Sequence, residues 1–209
     1  MTRDQAEAAI YVATEYEFRF PLLMAEFGQG WALLQQGQPE QGLGQMRRSL
    51  AILQAMGVET GGQYQRTQLA EAYGIEGQAK EGLVIVSQAF ALMPQPGRYA
   101  FGAELYRVKG ELTLQKEDQK AKGKKQKAQI PNSQAEAEEC FLKAIDIAQH
   151  QQAKSWELRA STSLARLWQQ QGKKKEAHKL LTDVYNWFSE GFDTKDLQEA
   201  KTLLEELHP

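Results

Sequence analysis

The residues that could carry chemistry are few and scattered. His150, His178 and His208 are far apart, none lies in an HExxH arrangement, and none stands beside a cysteine at metal-ligand spacing, so no zinc site is expected. Cys140 is the single cysteine; it precedes Phe141 on an apolar-periodic stretch and reads as a small, inert packing residue rather than a nucleophile. Glu138 with Glu139, and Glu205 with Glu206, are adjacent acids of the kind a solvated helix face carries; they do not form a general acid–base pair. No GxxxxGK[ST] phosphate loop and no glycine-rich dinucleotide fingerprint occurs. Trp31, Trp156, Trp168 and Trp187 recur at helical positions, where core packing explains them. The sequence therefore predicts no catalytic residue, no metal and no cofactor, and the chain reads as a non-enzyme.

One constellation of polar and aromatic residues remains, and it depends on periodicity. A small residue recurs at Gly30, Ala70, Gly110 and Ala165, in steps of 40, 40 and 55. A turn glycine recurs at Gly37, Gly77 and Gly172, in steps of 40 and 95. Triplets Ala6/Ile10/Ala13, Gly42/Met46/Ser49, Gly82/Val86/Ala89, Ala137/Phe141/Ala144 and Ala177/Leu181/Val184 keep the same register. The chain is thus a series of helix pairs with a period of 40 residues and a 15-residue insertion in the third pair. Such a period marks a helical solenoid, in which each pair buries its apolar face against its neighbours.

Residues six before, three before, one after and four after the aligned small residue lie on one helical face. They are Met24, Phe27, Trp31 and Leu34 in repeat 1; Tyr64, Thr67, Glu71 and Gly74 in repeat 2; Glu104, Arg107, Glu111 and Leu114 in repeat 3; and Arg159, Thr162, Arg166 and Gln169 in repeat 4. Stacked side by side they would form a groove grading from apolar to charged, suited to an extended peptide or a partner helix. The competing expectation is that acids and arginines of adjacent repeats pair with one another. A second functional class is a small-ligand sensor, with an effector between helices near Phe27, Trp31 and Tyr64.

The elements follow from start and stop signals. A half-repeat helix spans 2–18, with Thr2 and Gln5 as a capping box. Repeat 1 spans 21–55, Pro21 and Pro39 opening its two helices. Repeat 2 spans 63–93 and ends at Pro94 and Pro96. Repeat 3 spans 98–151 and is interrupted at 116–133 by a lysine-rich stretch of net charge near +4, expected to be a mobile loop, after which Ser133 and Glu136 cap the next helix. Repeat 4 spans 153–188, and 194–207 is a terminal cap with Leu197, Ala200, Leu203, Leu204 and Leu207 on its apolar face. The whole is expected to be a single all-α domain over 1–209, a right-handed superhelix of antiparallel pairs.

Composition agrees. Hydrophobic residues make up 42% and charged residues 25% of the 209, as in ordinary folded proteins. The net charge of −2 supplies no field for nucleic acid or an anionic membrane. The N-terminus lacks a signal-peptide core and no run approaches a membrane span, so with one cysteine a reducing cytoplasm is expected. Because the first helix corresponds to the second member of a pair, it could expose an apolar face and drive homodimerisation, and the chain could be the tail of a longer protein.

The two-helix unit resembles a tetratricopeptide repeat. Tyr73 and Trp168 match that family's first-helix aromatic, Ala137/Phe141/Ala144 its small–aromatic–small triplet, and Pro94 its closing proline. The period of 40 exceeds the usual ~34. More closely, GWALLQQGQPEQGLGQMRRSLA (30–51), LAEAYGIEGQAKEGL (69–83), AELYRVKGEL (103–112), the stretch 135–177 and VYNWFSEGFDTKDLQEAKTLLEEL (184–207) resemble the C-terminal repeat tail of large bacterial signalling proteins. Those carry an adenylate/guanylate cyclase-type domain and an AAA- or STAND-type ATPase domain. The resemblance implies a protein-binding, regulatory role in signal transduction and no catalysis in this chain.

Overall fold

The computed structural model describes residues 2–57, 62–93, 100–123 and 130–208. Among these residues there are ten α-helices and no strand. They are α1 (Arg3–Glu15), α2 (Arg19–Gln35), α3 (Pro39–Ala55), α4 (Gly62–Ile75), α5 (Ala79–Ala91), α6 (Gly102–Gly123), α7 (Ile130–His150), α8 (Lys154–Gln170), α9 (Lys174–Tyr185) and α10 (Lys195–Leu207). Contacts gather into two compact units, Met1–Met93 and Pro94–Pro209. The boundary falls at the Pro94 and Pro96 stretch, which itself lies outside the described residues.

In the N-terminal unit α1 packs on α2, α2 on α3, and α4 on α3 and α5, while α2 also touches α4. Phe27, Leu34, Leu43, Met46, Leu50, Leu69, Ala72 and Tyr73 form one core, with Trp31 and Ile85 against it. The α2–α3 crossing is set by two glycines. A Cβ on Gly42 would lie 2.5 Å from the Gly30 carbonyl oxygen, and one on Gly30 would lie 2.8 Å from that of Gly42. Only hydrogen at both positions permits that approach. In the C-terminal unit α6 packs on α7, α7 on α8, α8 on α9 and α9 on α10, and the alternate helices α6, α8 and α10 also meet. Here the Phe141 ring lies over Gly110, where a Cβ would be 2.5 Å from Cε1. Phe141 is fully buried among Ala137, Ala144, Ala160 and Leu164, which is worth about 2–3 kcal/mol of apolar burial.

One turn recurs at the helix ends. Glu17, Gly37, Gly77, Gln152 and Gly172 all have φ between 55° and 79°. Each N–H reaches the carbonyl three residues back, and the next N–H reaches the carbonyl five back: Phe18 to Ala13 at 2.8 Å, Gln38 to Leu33 at 3.0 Å, Gln78 to Tyr73 at 2.8 Å, Ala153 to Ala148 at 2.9 Å and Lys173 to Trp168 at 2.8 Å. This is the left-handed helix stop that satisfies otherwise orphaned carbonyls. Gly57, at φ 72°, also donates to the carbonyl three back, Gln54. The positions 17, 37, 57 and 77, and again 152 and 172, are spaced by 20, so the helix, not the pair, is the shortest repeating step.

The Thr2–Gln5 capping box forms as expected, and Pro39 occupies the first turn of α3. Pro21 lies within the first turn of α2 rather than at its start, still where an N–H has no helical acceptor. The insertion departs from expectation. Residues 116–123 continue α6 and 130–133 already belong to α7, so only 124–129 lie outside the described helices. Lysine, glutamate, glutamine and alanine are good helix formers and need no buried face to extend an existing helix. Ser133 is therefore interior to α7 instead of capping it; Pro131, in the first turn, is compatible with the earlier start.

Candidate protein-interaction face

In the C-terminal unit the residues singled out for the groove come together on α6 and α8, but as groups paired with one another and with acids of α10. Arg107 donates from Nε to Glu104 Oε2 at 3.0 Å and from Nη2 to Oε1 at 2.5 Å, one turn apart on α6. Arg159 of α8 reaches the same Oε1 at 3.0 Å, and its Nε lies 3.9 Å from Asp196 Oδ1 of α10. Ser163 Oγ donates to Glu111 Oε1 at 2.6 Å. Arg166 donates to Glu199 at 2.8 Å, and Gln169 to Glu206 at 3.2 Å. Glu104 is only 5% and Arg107 7% exposed. They form the interior of this row, whereas Arg166 and Gln169 stand at its solvent side.

Electrostatics follow that placement. Burial alone would push the Glu104 carboxyl up, but the guanidiniums of Arg107 and Arg159 together hold it below the ordinary glutamate value. Asp196 shifts the other way: burial raises it, and Arg159 compensates incompletely beside the like charge of Glu104. Glu199 is also partly desolvated, yet its hydrogen bond from Arg166 and the charges of Arg166 and Lys195 lower it. Between α8 and α10 a cleft of about 450 Å³ is lined by Arg166, Gln169, Lys195, Glu199, Thr202 and Glu206 among others. Its lining holds both donors and acceptors, with Arg166 bonded to Glu199 and Gln169 to Glu206 across it.

In the N-terminal unit the face is built differently. Phe27 is 3% exposed and belongs to the core, so it is corrected from a groove residue to a packing residue. Trp31 is half-buried against the same cluster, which leaves neither ring as an open wall for the expected small-ligand site. Met24 accepts a hydrogen bond at Sδ from Gln65 Nε2 at 3.1 Å. Tyr64 is exposed and its hydroxyl accepts from Gln68 at 3.0 Å; Glu71 is half-exposed. Gln45 of α3 ties to α2 through the Glu26 carbonyl at 2.9 Å and Gln29 Oε1 at 2.6 Å.

Asp196, Glu199 and Glu206 are absent from the sequence-derived face because α10 reads as a cap with its acids in water. A further step of 40 from Ala165 reaches Glu205, and the same offsets then select Glu199, Thr202 and Glu206. Three of the tryptophans pack as expected: Trp31 and Trp168 against cores, and Trp156 on Ala103, Ile147 and Ala148. Trp187 does not. It is exposed, edge-on to Phe188, with Lys154 Nζ 5.9 Å from its ring centre. Cys140 is buried, and that burial raises its thiol above the ordinary value despite nearby Lys109, as an inert packing cysteine requires.

No family model and no curated protein matches the chain. Solved structures do. The nearly identical TPR-like repeats of a kinesin light chain-type protein from Podosopora anserina superpose with a TM-score of 0.62 at 18% identity, over 88% of this chain and 84% of that one. A point variant of those repeats gives 0.60 at 18% identity, over 88% and 92%. At that identity the likeness speaks to fold alone, and with the helix pairs above it shows that this chain is built of tetratricopeptide-like helical repeats.

Proposed function

We propose that the chain is a non-catalytic protein-interaction module, a cytoplasmic adaptor or the regulatory arm of a bacterial cyclase–ATPase signalling system. The observation that carries this reading is the α8–α10 cleft, where Arg166 and Gln169 meet Glu199 and Glu206 at the open end of a buried ion network. A rigid scaffold that holds long polar side chains in fixed places lowers the ordering cost of binding a peptide. The repeat fold supports a binding role, and the likeness of 135–177 and 184–207 to signalling-protein tails supports the regulatory setting.

The test is site-specific photo-crosslinking in the native cell. A benzophenone side chain at Gln170 or Thr202, both in the cleft, should trap one discrete protein. The same group at Lys179, on the exposed face of α9, should not. Adding Arg166→Glu should abolish the adduct while circular dichroism stays helical. Equal labelling from all three positions, or an adduct indifferent to Arg166→Glu, would refute the assignment.

A further inference from the structure

The first half of α4 departs from the pattern of the other first helices. Seven and five positions before the aligned small residue, α2 carries Leu23 and Ala25, α6 Ala103 and Leu105, and α8 Leu158 and Ala160, all buried. At the same two positions α4 carries Gln63 and Gln65, and these are buried too, at 5% and 9% exposure. A buried carboxamide is stable where protein groups replace its bonds to water. Gln63 meets that condition, since its Nε2 donates to the Leu92 carbonyl at the end of α5 at 2.5 Å. Gln65 does not. Its Nε2 donates to the Met24 thioether at 3.1 Å, a weak acceptor, and its Oε1 meets no donor among the described residues. Turning the carboxamide over would orphan the other end instead. From Leu69 onward the apolar pattern returns: Leu69, Ala72 and Tyr73 belong to the core with Phe27, Leu43 and Met46.

We infer that residues 62–68 form a strap that opens as one unit while α2, α3, α5 and the rest of α4 stay folded. Opening returns both carboxamides to water and withdraws no large apolar side chain from the core, whereas opening past Leu69 would expose the core itself. The contacts that make the strap a unit are internal to it. Thr67 Oγ1 donates to the Gln63 carbonyl at 3.1 Å, and Gln68 Nε2 to the Tyr64 hydroxyl at 3.0 Å. Arg66 folds back so closely over the helix start that a Cβ on Gly62 would lie 2.6 Å from its Nη1. Tyr64 rides on this strap, so repeat 2 presents that ring to the candidate face in the closed state alone.

Residue-resolved amide hydrogen exchange of the whole chain tests this. The amides of Arg66, Thr67 and Gln68 should exchange with one shared protection factor, roughly 100-fold below that of Tyr73 in the same helix. Gln65→Leu, which installs the residue found at the matching place in α6, should raise their protection about tenfold by removing the orphaned acceptor. Gln65→Met, which keeps the unbranched shape, should do the same, so a packing fault peculiar to leucine cannot mimic the result. Protection at 66–68 equal to that of Tyr73 would overturn the inference. So would protection that climbs residue by residue from Arg66, the mark of a fraying end, or exchange that neither variant slows.

Discussion

The two compact units solve one packing problem with different side chains. In the N-terminal unit, neighbouring helices are tied mainly by neutral amides, Gln45 to α2 and Gln65 to Met24, with Ser49 of α3 also donating to the Glu26 carboxylate of α2 at 3.5 Å. In the C-terminal unit, the corresponding ties are ionic, from Glu104 through Arg159 to Asp196 and from Arg166 to Glu199. A neutral hydrogen bond contributes about 1 kcal/mol and is indifferent to pH. A buried ion network adds little net stability over an apolar one, yet losing a single member leaves a charge stranded. The difference teaches that the helix pair specifies where side chains meet and leaves open how they meet. The amide ties do not titrate, whereas the ionic ties between α6, α8 and α10 do.

The sharpest way to break the contrast is Glu104→Ala. It leaves Arg107 and the inner end of Arg159 without their shared carboxylate and should cost about 3–5 kcal/mol, read by hydrogen exchange as loss of protection in α6 and α8 but not in α2–α4. The pH dependence carries the same signature. Glu104 is held below its ordinary value, so its contribution is complete above that value and is lost as pH falls through the depressed one. Glu104→Gln should flatten the acid limb of the C-terminal unit's stability and leave that of the N-terminal unit unchanged. Asp196, raised, runs the opposite way: the fold favours its protonated form, and stability declines as pH rises through its shifted value.

Next in size, Gly42→Val drives a branched side chain into the backbone of α2 and should cost about 3 kcal/mol, with denaturant midpoints falling for the N-terminal unit alone. Gln45→Ala should cost about 1 kcal/mol with no change in salt or pH dependence, which distinguishes the amide ties from the ionic ones. Smallest is a gain. Gln152 holds φ at 55° in a turn where Gly37, Gly77 and Gly172 do the same work, so Gln152→Gly should raise thermal stability by about 1 kcal/mol or less.

Much of the backbone was legible. The expected second helix of repeat 1, 39–55, coincides with Pro39–Ala55, and 194–207 differs by one residue from Lys195–Leu207. Small-residue spacing, turn glycines and apolar stripes are local signals, and each pointed the same way. What stayed hidden was non-local or compositional. The pairing of Arg159 with Glu104 spans 55 positions, and nothing in either segment names the other. The helical continuation through 116–123 was hidden because a lysine-rich run without a buried face looks like a loop, whereas it needs only a helix to extend. Phe27 was misplaced because an aligned face includes positions that turn toward the core.

The recurring left-handed turn has an architectural consequence. Since one helix with its turn takes 20 residues, inserting a single step would reverse the direction in which every later helix runs, exchanging inner and outer surfaces for all that follows. Inserting two steps restores polarity. Growth of such an array, by gene duplication or by design, is therefore permitted in cassettes of 40 and penalised in odd multiples of 20, and the positive-φ residue is the natural splice point. The lysine-rich insertion obeys the same grammar: by lengthening α6 and α7 together it adds residues to one hairpin without adding a step, and the beat resumes at Gln152 and Gly172.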